Sequence, residues 1–292
     1  MAQMDARESG VSVVRNLAVV GSPIAHSKSP LIQSAAYRTL SLDWSYEKIE
    51  VHKNHLSQFV NSLDESWLGL SVTAPLKLEA LRLAESIDST SELTEATNTL
   101  VRTETGWRGF NTDVFGIQQS LRAAGVASAA RVSVIGTGAT ARSAILAAVR
   151  NFPELELILA GRNKSAAKEL IFFAKSLGVK RAAIKSVRKA LTSADLVISA
   201  LPAKVLDADA RSLKKSRFSK PRGVFFDVAY DPWPSEAAKI WADEDLKIIS
   251  GVEMLLWQAI AQVRIFSNGS PDVELFNEGA VLLAMRHSIG LI

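Results

Sequence analysis

Short apolar runs alternate with amphipathic segments along almost the whole chain, at the spacings that suit strands and helices in turn. Leu17–Gly21 (LAVVG) reads as a buried strand, and SPIAHSKSP after it as a loop closed by two prolines. Pro30 suits the first turn of a helix running to about Leu40, with Ser29 as its N-cap. A strand over Trp44–Val51, a helix near His55–Leu63 and a third strand over Leu68–Thr73 follow. A helix opened by Pro75 then continues through LKLEALRLAESI. Strand and helix alternating in this way predict a mostly parallel α/β domain. Two short strands, Asn98–Arg102 and Trp107–Phe110, flank a Glu104-Thr105-Gly106 turn, and a helix from Thr112 or Asp113 ends before Gly125.

The second half repeats the alternation with strands at Arg131–Ile135, Leu155–Ala160, Ala182–Lys185, Leu196–Ala200 and Val224–Val228. After Gly251 a long helix carries apolar positions at Met254, Trp257, Ile260 and Ala261, and a last helix spans Val273 to Ser288. The stretch Arg131–Ala144, RVSVIGTGATARSA, organises this half. Its β-rich run breaks at Gly136-Thr137-Gly138, continues through Ala139 and Thr140, and places Ala141 where a third small residue belongs before a helix. Glycines there allow a tight turn and close approach of a pyrophosphate, and the new helix N-terminus offers N–H groups to the anion. The unit is therefore read as a Rossmann-type dinucleotide domain. About 130 residues precede the turn, enough for a separate domain. The expected division is 1–113 for a substrate-binding α/β domain, 114–250 for the dinucleotide domain and 251–292 for helices returning to the first.

Composition narrows the function. The 292 residues are 48% apolar and 22% charged, as in a globular protein, and contain no cysteine, which excludes disulfides and thiolate chemistry. The N-terminal stretch MAQMDARESGVSVVRN has no long apolar run, and nowhere do 18 apolar residues follow one another, so a cytoplasmic protein with no membrane partner is expected. A net charge of +4 prompts a search for a nucleic-acid surface. The one dense basic cluster is Arg211, Lys214, Lys215, Arg217, Lys220 and Arg222, with Phe218 interleaved; no nucleic-acid motif accompanies it, and it reads as a solvated helix and loop. The four histidines show no metal-ligand spacing with acids, so no metal is expected.

Four polar clusters sit where strands end or helices begin, the positions facing the ligand crevice of open α/β sheets. They are Ser27 with Ser29, Ser71-Val72-Thr73 with Lys77, Ala96-Thr97-Asn98-Thr99, and Gly109-Phe110-Asn111-Thr112-Asp113. Taken singly, each has a plainer use: Ser29 and Asp113 as caps, Lys77 as a solvated first-turn residue, Asn98 as a turn residue. Together with GSPIAHSKSP, SVTAPLK, ATNT, GFNTD, the GTGATA turn, DVAYDPWP and GVEMLLWQA, in that order, the chain from about Leu17 to Phe266 resembles the shikimate dehydrogenase family. The resemblance implies two α/β domains with the substrate between them, and reversible reduction of 3-dehydroshikimate to shikimate with NADPH, a step toward chorismate and the aromatic amino acids. It implies that Lys77 and Asp113 are the catalytic pair and that Ser27 and Ser29 hold the substrate carboxylate. It also implies that Thr73, Asn98 and Gln258 bind ring hydroxyls, that Ser71 and Tyr230 belong to the substrate site, and that Gly136–Ala141, Ala200, Leu201 and Gly251 line the cofactor.

Two places depart from the family pattern. Ser71 stands where the family usually has Asn, too short to span the same gap with both amide functions, and Gly161-Arg162-Asn163-Lys164 with Ala166 replaces the usual NRT and following Arg. The residues themselves still fit the chemistry. Hydride reduction of a ketone leaves an alkoxide, which needs a neighbouring cation and proton donor such as Lys77. NAD-specific folds place an acid at the end of the second strand, whereas here LELILAG runs into Arg162, Asn163 and Lys164. Arg162 and Lys164 suit a 2′-phosphate, so NADP(H) is the expected cofactor. The alternatives are an NAD-linked quinate/shikimate dehydrogenase and a catalytically idle NADP(H)-binding paralogue, and a monomer or homodimer is expected on every reading.

Overall fold

The computed structural model describes residues 14–215 and 220–291. Among them the strands and helices run in chain order as β1 (Arg15–Gly21), α1 (Ser29–Thr39), β2 (Trp44–Glu50), α2 (Leu56–Asn61), β3 (Trp67–Val72), α3 (Lys77–Leu83), β4 (Ser86–Ile87), α4 (Ser89–Thr94), β5 (Thr99–Arg102), β6 (Trp107–Phe110) and α5 (Asp113–Ala123). The remainder are β7 (Arg131–Ile135), α6 (Ala139–Asn151), β8 (Glu156–Ala160), α7 (Lys164–Ser176), β9 (Arg181–Ile184), α8 (Val187–Thr192), β10 (Leu196–Ser199), α9 (Asp207–Lys214), β11 (Val224–Asp227), α10 (Glu236–Asp243), β12 (Ile248–Ser250), α11 (Gly251–Asn268) and α12 (Glu278–Ser288).

The chain forms two compact units. One holds the residues through Ile87, then Thr97–Gly109, then those from Gln262 onward; the other holds Asp88–Ala96 and Phe110–Ala261. The cuts fall on either side of α4, after Gly109 close to the expected 113, and inside α11 after Ala261, past the expected 250. Residues 88–96 go with the second unit because Asp88, Thr94 and Glu95 bond to Asn111 and Arg142 of that unit.

The sheet of the first unit has the order β2-β1-β3-β5-β6-β4. Strands β1, β2 and β3 are parallel, and β5 returns antiparallel to β3. Alternate residues of β1 and β3 face opposite sides: Ala18, Val20, Leu70 and Val72 join Leu56, Val60, Leu76 and Ala80 in one core beneath α2 and α3. The helix expected from Pro75 through Ile87 stops at Leu83. Ala84 is extended, and Ser86–Ile87 pairs with β6 as a two-residue strand, so sheet pairing overrides a helix-prone sequence.

The second unit is a parallel sheet of order β12-β11-β10-β7-β8-β9, the doubly wound Rossmann arrangement. Val132, Val134, Leu157, Leu159, Leu196, Ile198 and Phe226 pack beneath α5, α6 and α7. Ile158, Ala160, Val197 and Phe225 face α8, α9 and α10 instead. Strand β12, only three residues long, was not among the strands expected from the pattern; its pairing with β11 is what extends the sheet to six strands. Of the basic cluster, Arg211, Lys214, Lys220 and Arg222 pair with Asp207, Asp243, Glu244 and Asp195, while Arg217 and Phe218 lie outside the described residues.

Trp241 anchors the α10 face. It is fully buried, stacks on Phe225 with ring centroids 4.8 Å apart, and its Nε1 donates to the Gly223 carbonyl at 3.1 Å. Truncation to alanine removes that bond and leaves a large cavity, so Trp241→Ala is expected to lower the unfolding free energy by about 3–5 kcal/mol, as measured by urea denaturation. A loss below about 1 kcal/mol, the scale of a surface change, contradicts this account of the core.

Candidate active site

In the first unit, the polar residues singled out in the sequence gather at the C-terminal edge of β1 and β3. The Thr73 N–H donates to the Val20 carbonyl at 2.9 Å and the Ser22 N–H to that of Ala74 at 3.1 Å, which binds the serine loop to the β3 exit. The Val72 N–H reaches the Asn98 carbonyl at 2.7 Å, and the Thr97 N–H reaches the carbonyl of Lys77 at 3.1 Å. Backbone bonds alone thus bring Thr73, Lys77 and Asn98 into one neighbourhood. Lys77 and Thr73 are half-buried, and Asn98 is 2% exposed.

Helix α1 begins one residue earlier than expected. Its N-cap is Lys28, with no side-chain cap bond; Ser29 is already helical, and its N–H is received by the Ser27 hydroxyl at 3.3 Å. The Ser29 side chain is therefore not spent on capping.

Ser71 is held in a buried, hydrogen-bonded setting. It lies opposite Thr99 across the β3/β5 ladder and is 4% exposed, on the face away from the α2 and α3 core. Its hydroxyl accepts from Tyr46 Oη at 2.7 Å and donates to Gln262 Oε1 at 2.9 Å. Gln262, on α11, was not read from the sequence as functional. The clue available there was a second glutamine four residues after Gln258, one helical turn on, in a mostly apolar helix.

In the second unit, Asp113 opens α5 and is 1% exposed. Its N–H donates to Asn111 Oδ1 at 2.9 Å, and Asn111 Nδ2 in turn reaches the hydroxyls of Thr94 at 2.7 Å and Ser143 at 3.2 Å. Asn111 thus braces the start of α5 against α4 and α6. Gln258 is half-buried on α11 near Gly116 of α5, and Tyr230 is half-buried on the loop after β11. That loop hangs from Asp227, whose Oδ1 accepts from the Ala229 N–H at 3.3 Å.

The dinucleotide turn has the features an anion needs. Gly136 has φ +134°, and a Cβ there would lie 2.8 Å from the Ala200 carbonyl oxygen, so only glycine lets β7 turn this close to β10. Leu201 follows Ala200 at the same β10 exit. A Cβ on Gly138 would meet nothing within 4 Å, which leaves open space in front of α6. That helix has no side-chain cap and no acid in its first turn, so the N–H groups of Ala139, Thr140 and Ala141 meet no capping side chain. A pyrophosphate fits this end by both charge and space. At the end of β8, Gly161 is required by Thr137, whose Cγ2 lies 2.5 Å from where a Cβ would sit. Arg162 and Lys164 are exposed, while Asn163 caps α7 by accepting from the Ala166 N–H at 3.1 Å. Gly251 opens α11. No group of three His, Asp or Glu among the described residues is placed to hold a metal ion, and no helix there is long and apolar enough to cross a membrane.

Two family models match the chain: a shikimate dehydrogenase substrate binding domain over residues 19–100, and a shikimate / quinate 5-dehydrogenase over residues 119–234. A shikimate dehydrogenase (NADP(+)) of Ignicoccus hospitalis is 30% identical over 87% of this chain and 94% of its own length. Among solved structures, a Mycobacterium tuberculosis shikimate dehydrogenase superposes with a TM-score of 0.80 and 34% identity, covering 94% of this chain and 99% of that one. A Thermus thermophilus shikimate 5-dehydrogenase solved in complex with NADP(H) and shikimate gives a TM-score of 0.76 at 25% identity, covering 94% and 99%.

Asp227 supplies a test of the site's electrostatics. Burial raises its pKa above the ordinary 3.8, against the lowering effect of bonds from Ser235, Ala229 and Ser199. The native state therefore holds this proton more tightly than the unfolded chain, and the resulting stability is present below 3.8 and lost as pH rises through the raised value. Relative to Asp227→Asn, the parent should lose unfolding free energy across that window in urea titrations at stepped pH. A difference between the two that stays flat with pH excludes the shift.

Proposed function

The chain belongs to the shikimate dehydrogenase family, and we propose that Lys77 and Asp113 are the catalytic pair with which it carries out the reversible NADPH-dependent reduction of 3-dehydroshikimate to shikimate. It is an NADP-dependent oxidoreductase acting on a CH–OH group. NADPH, when bound, supplies the hydride. The observation that supports the Lys77 assignment is the joining of Thr73, Lys77 and Asn98 by backbone bonds at one sheet edge.

In this reading the Lys77 ammonium stabilises the negative charge growing on the carbonyl oxygen and delivers the proton that completes the alcohol. In the reverse direction the neutral amine takes that proton back. Asp113, fixed at its backbone by Asn111, accepts from the substrate alcohol and holds it in line. Ser27 and Ser29 donate to the substrate carboxylate. Thr73, Asn98, Gln258 and Tyr230 read the ring substituents, and Ser71 acts on the substrate only through its neighbours.

In this reading the uncapped start of α6 would hold the cofactor at its pyrophosphate and Arg162 and Lys164 would hold it at its 2′-phosphate, with Asn163 fixing the start of α7, where Lys164 lies. Ala200 and Leu201, just after β10, and Gly251, just after β12, would also line the cofactor in this reading.

Two measurements bear on these roles. Lys77→Met keeps the stem and removes the charge; kcat should fall by about 10²–10⁴ with NADP+ affinity nearly unchanged, the usual range for a lost general acid–base. Near wild-type kcat removes Lys77 from the chemistry. Arg162→Ala should raise KM for NADPH by about tenfold or more, a charge-assisted bond's worth, and leave KM for NADH nearly unchanged. Equal losses for both cofactors, or a parent that prefers NADH, refute the phosphate clamp.

A further inference from the structure

The first unit contains a buried chain of polar groups, and one side chain joins its two arms. Gln262 Oε1 accepts from Gln33 Nε2 at 3.1 Å and from the Ser71 hydroxyl at 2.9 Å. Its Nε2 donates to the Thr99 hydroxyl at 3.2 Å and approaches the Asn98 backbone carbonyl at 3.5 Å. Thr99 Oγ1 then donates to Asn98 Oδ1 at 2.9 Å. Gln262, at 4% exposure, is buried like the residues it links.

The direction of every bond follows from one fixed acceptor. A backbone carbonyl cannot donate, so the end of the Gln262 amide facing Asn98 has to be Nε2. Its oxygen then faces Ser71, whose hydroxyl donates to Gln262 and accepts from the Tyr46 hydroxyl. Burial pushes the Tyr46 phenol up, so it remains a donor at neutral pH. On the other arm the Thr99 hydroxyl accepts from Gln262 Nε2 and donates to Asn98 Oδ1. With that oxygen engaged, the opposite end of the Asn98 carboxamide is its Nδ2, a donor.

We propose that Gln262 is a positioning residue that fixes, through Thr99, the orientation of the Asn98 carboxamide at the substrate site. The proposal rests on the reading that Asn98 contacts the substrate. It also gives Ser71 a use in this chain: the short hydroxyl leaves room for the Gln262 amide to lie across β3 and β5, where Ser71 and Thr99 are directly opposed.

The test compares Gln262→Leu, Thr99→Val, their double variant and Asn98→Ala, with KM and kcat for shikimate measured beside the dissociation constant of NADP+ from fluorescence titration. Gln262→Leu and Thr99→Val should each raise KM for shikimate by about tenfold to a hundredfold, the cost of one mismatched buried hydrogen bond, with NADP+ affinity within about twofold. The double variant should be no worse than the poorer single one, because both act on the same amide. Gln262→Glu preserves the shape but can only accept, so it should also raise KM; it serves if the leucine variant does not fold. Unchanged KM in the Gln262 variants, or KM effects of Gln262→Leu and Thr99→Val that multiply, overturn the proposal while leaving Asn98 as a contact. If Asn98→Ala itself leaves KM unchanged, the substrate contact falls, and the proposal with it.

Discussion

A parallel strand ends on the same edge of its sheet as its parallel neighbours, and the residues of this protein that bear chemistry are placed by that constraint. In the first unit β1 and β3 leave their shared edge side by side, and the backbone bonds Thr73 to Val20 and Ser22 to Ala74 tie the two exits together. In the second unit β7, β8 and β10 leave together, so the Gly136 turn, Arg162 and Ala200 fall on one edge although more than 60 residues of sequence separate the first from the last. Strand register, fixed by apolar residues facing both helical layers, decides where polar groups emerge.

The polar groups that matter are handled in two opposite ways. Asn111, Asp227 and Gln262 are buried and hydrogen-bonded, and each fixes a segment that carries another residue: the start of α5, the loop with Tyr230, and the Asn98 amide. The start of α6 is left without a side-chain cap, and Arg162 and Lys164 stay exposed. A satisfied buried polar group rigidifies its surroundings, whereas an uncapped helix end retains hydrogen-bonding capacity for an anionic ligand. Asn163 shows the distinction within a single motif: it lies between the two cations, yet its side-chain oxygen is taken by α7.

Much of this was legible in the chain itself. The alternation of apolar runs and amphipathic segments determined two α/β units, the strands β1–β3 and β7–β11 to within a residue or two, and the dinucleotide turn, because these depend on local periodicity and on glycines that a strand-to-helix turn demands. The run of motifs also marked Lys77, Asp113, Asn98 and the absence of an acid after β8 as the places to look. What the tertiary structure alone decided was which polar residues face one another. Helix α3 stopped short because β4 found β6, and β12 exists only as a partner for β11. Ser71 became a link in a buried chain because Gln262, 191 residues away in sequence, lies across it. Local pattern records how each segment meets its own neighbours in the chain; the partner of a buried hydroxyl is set by packing between segments, on which periodicity is silent.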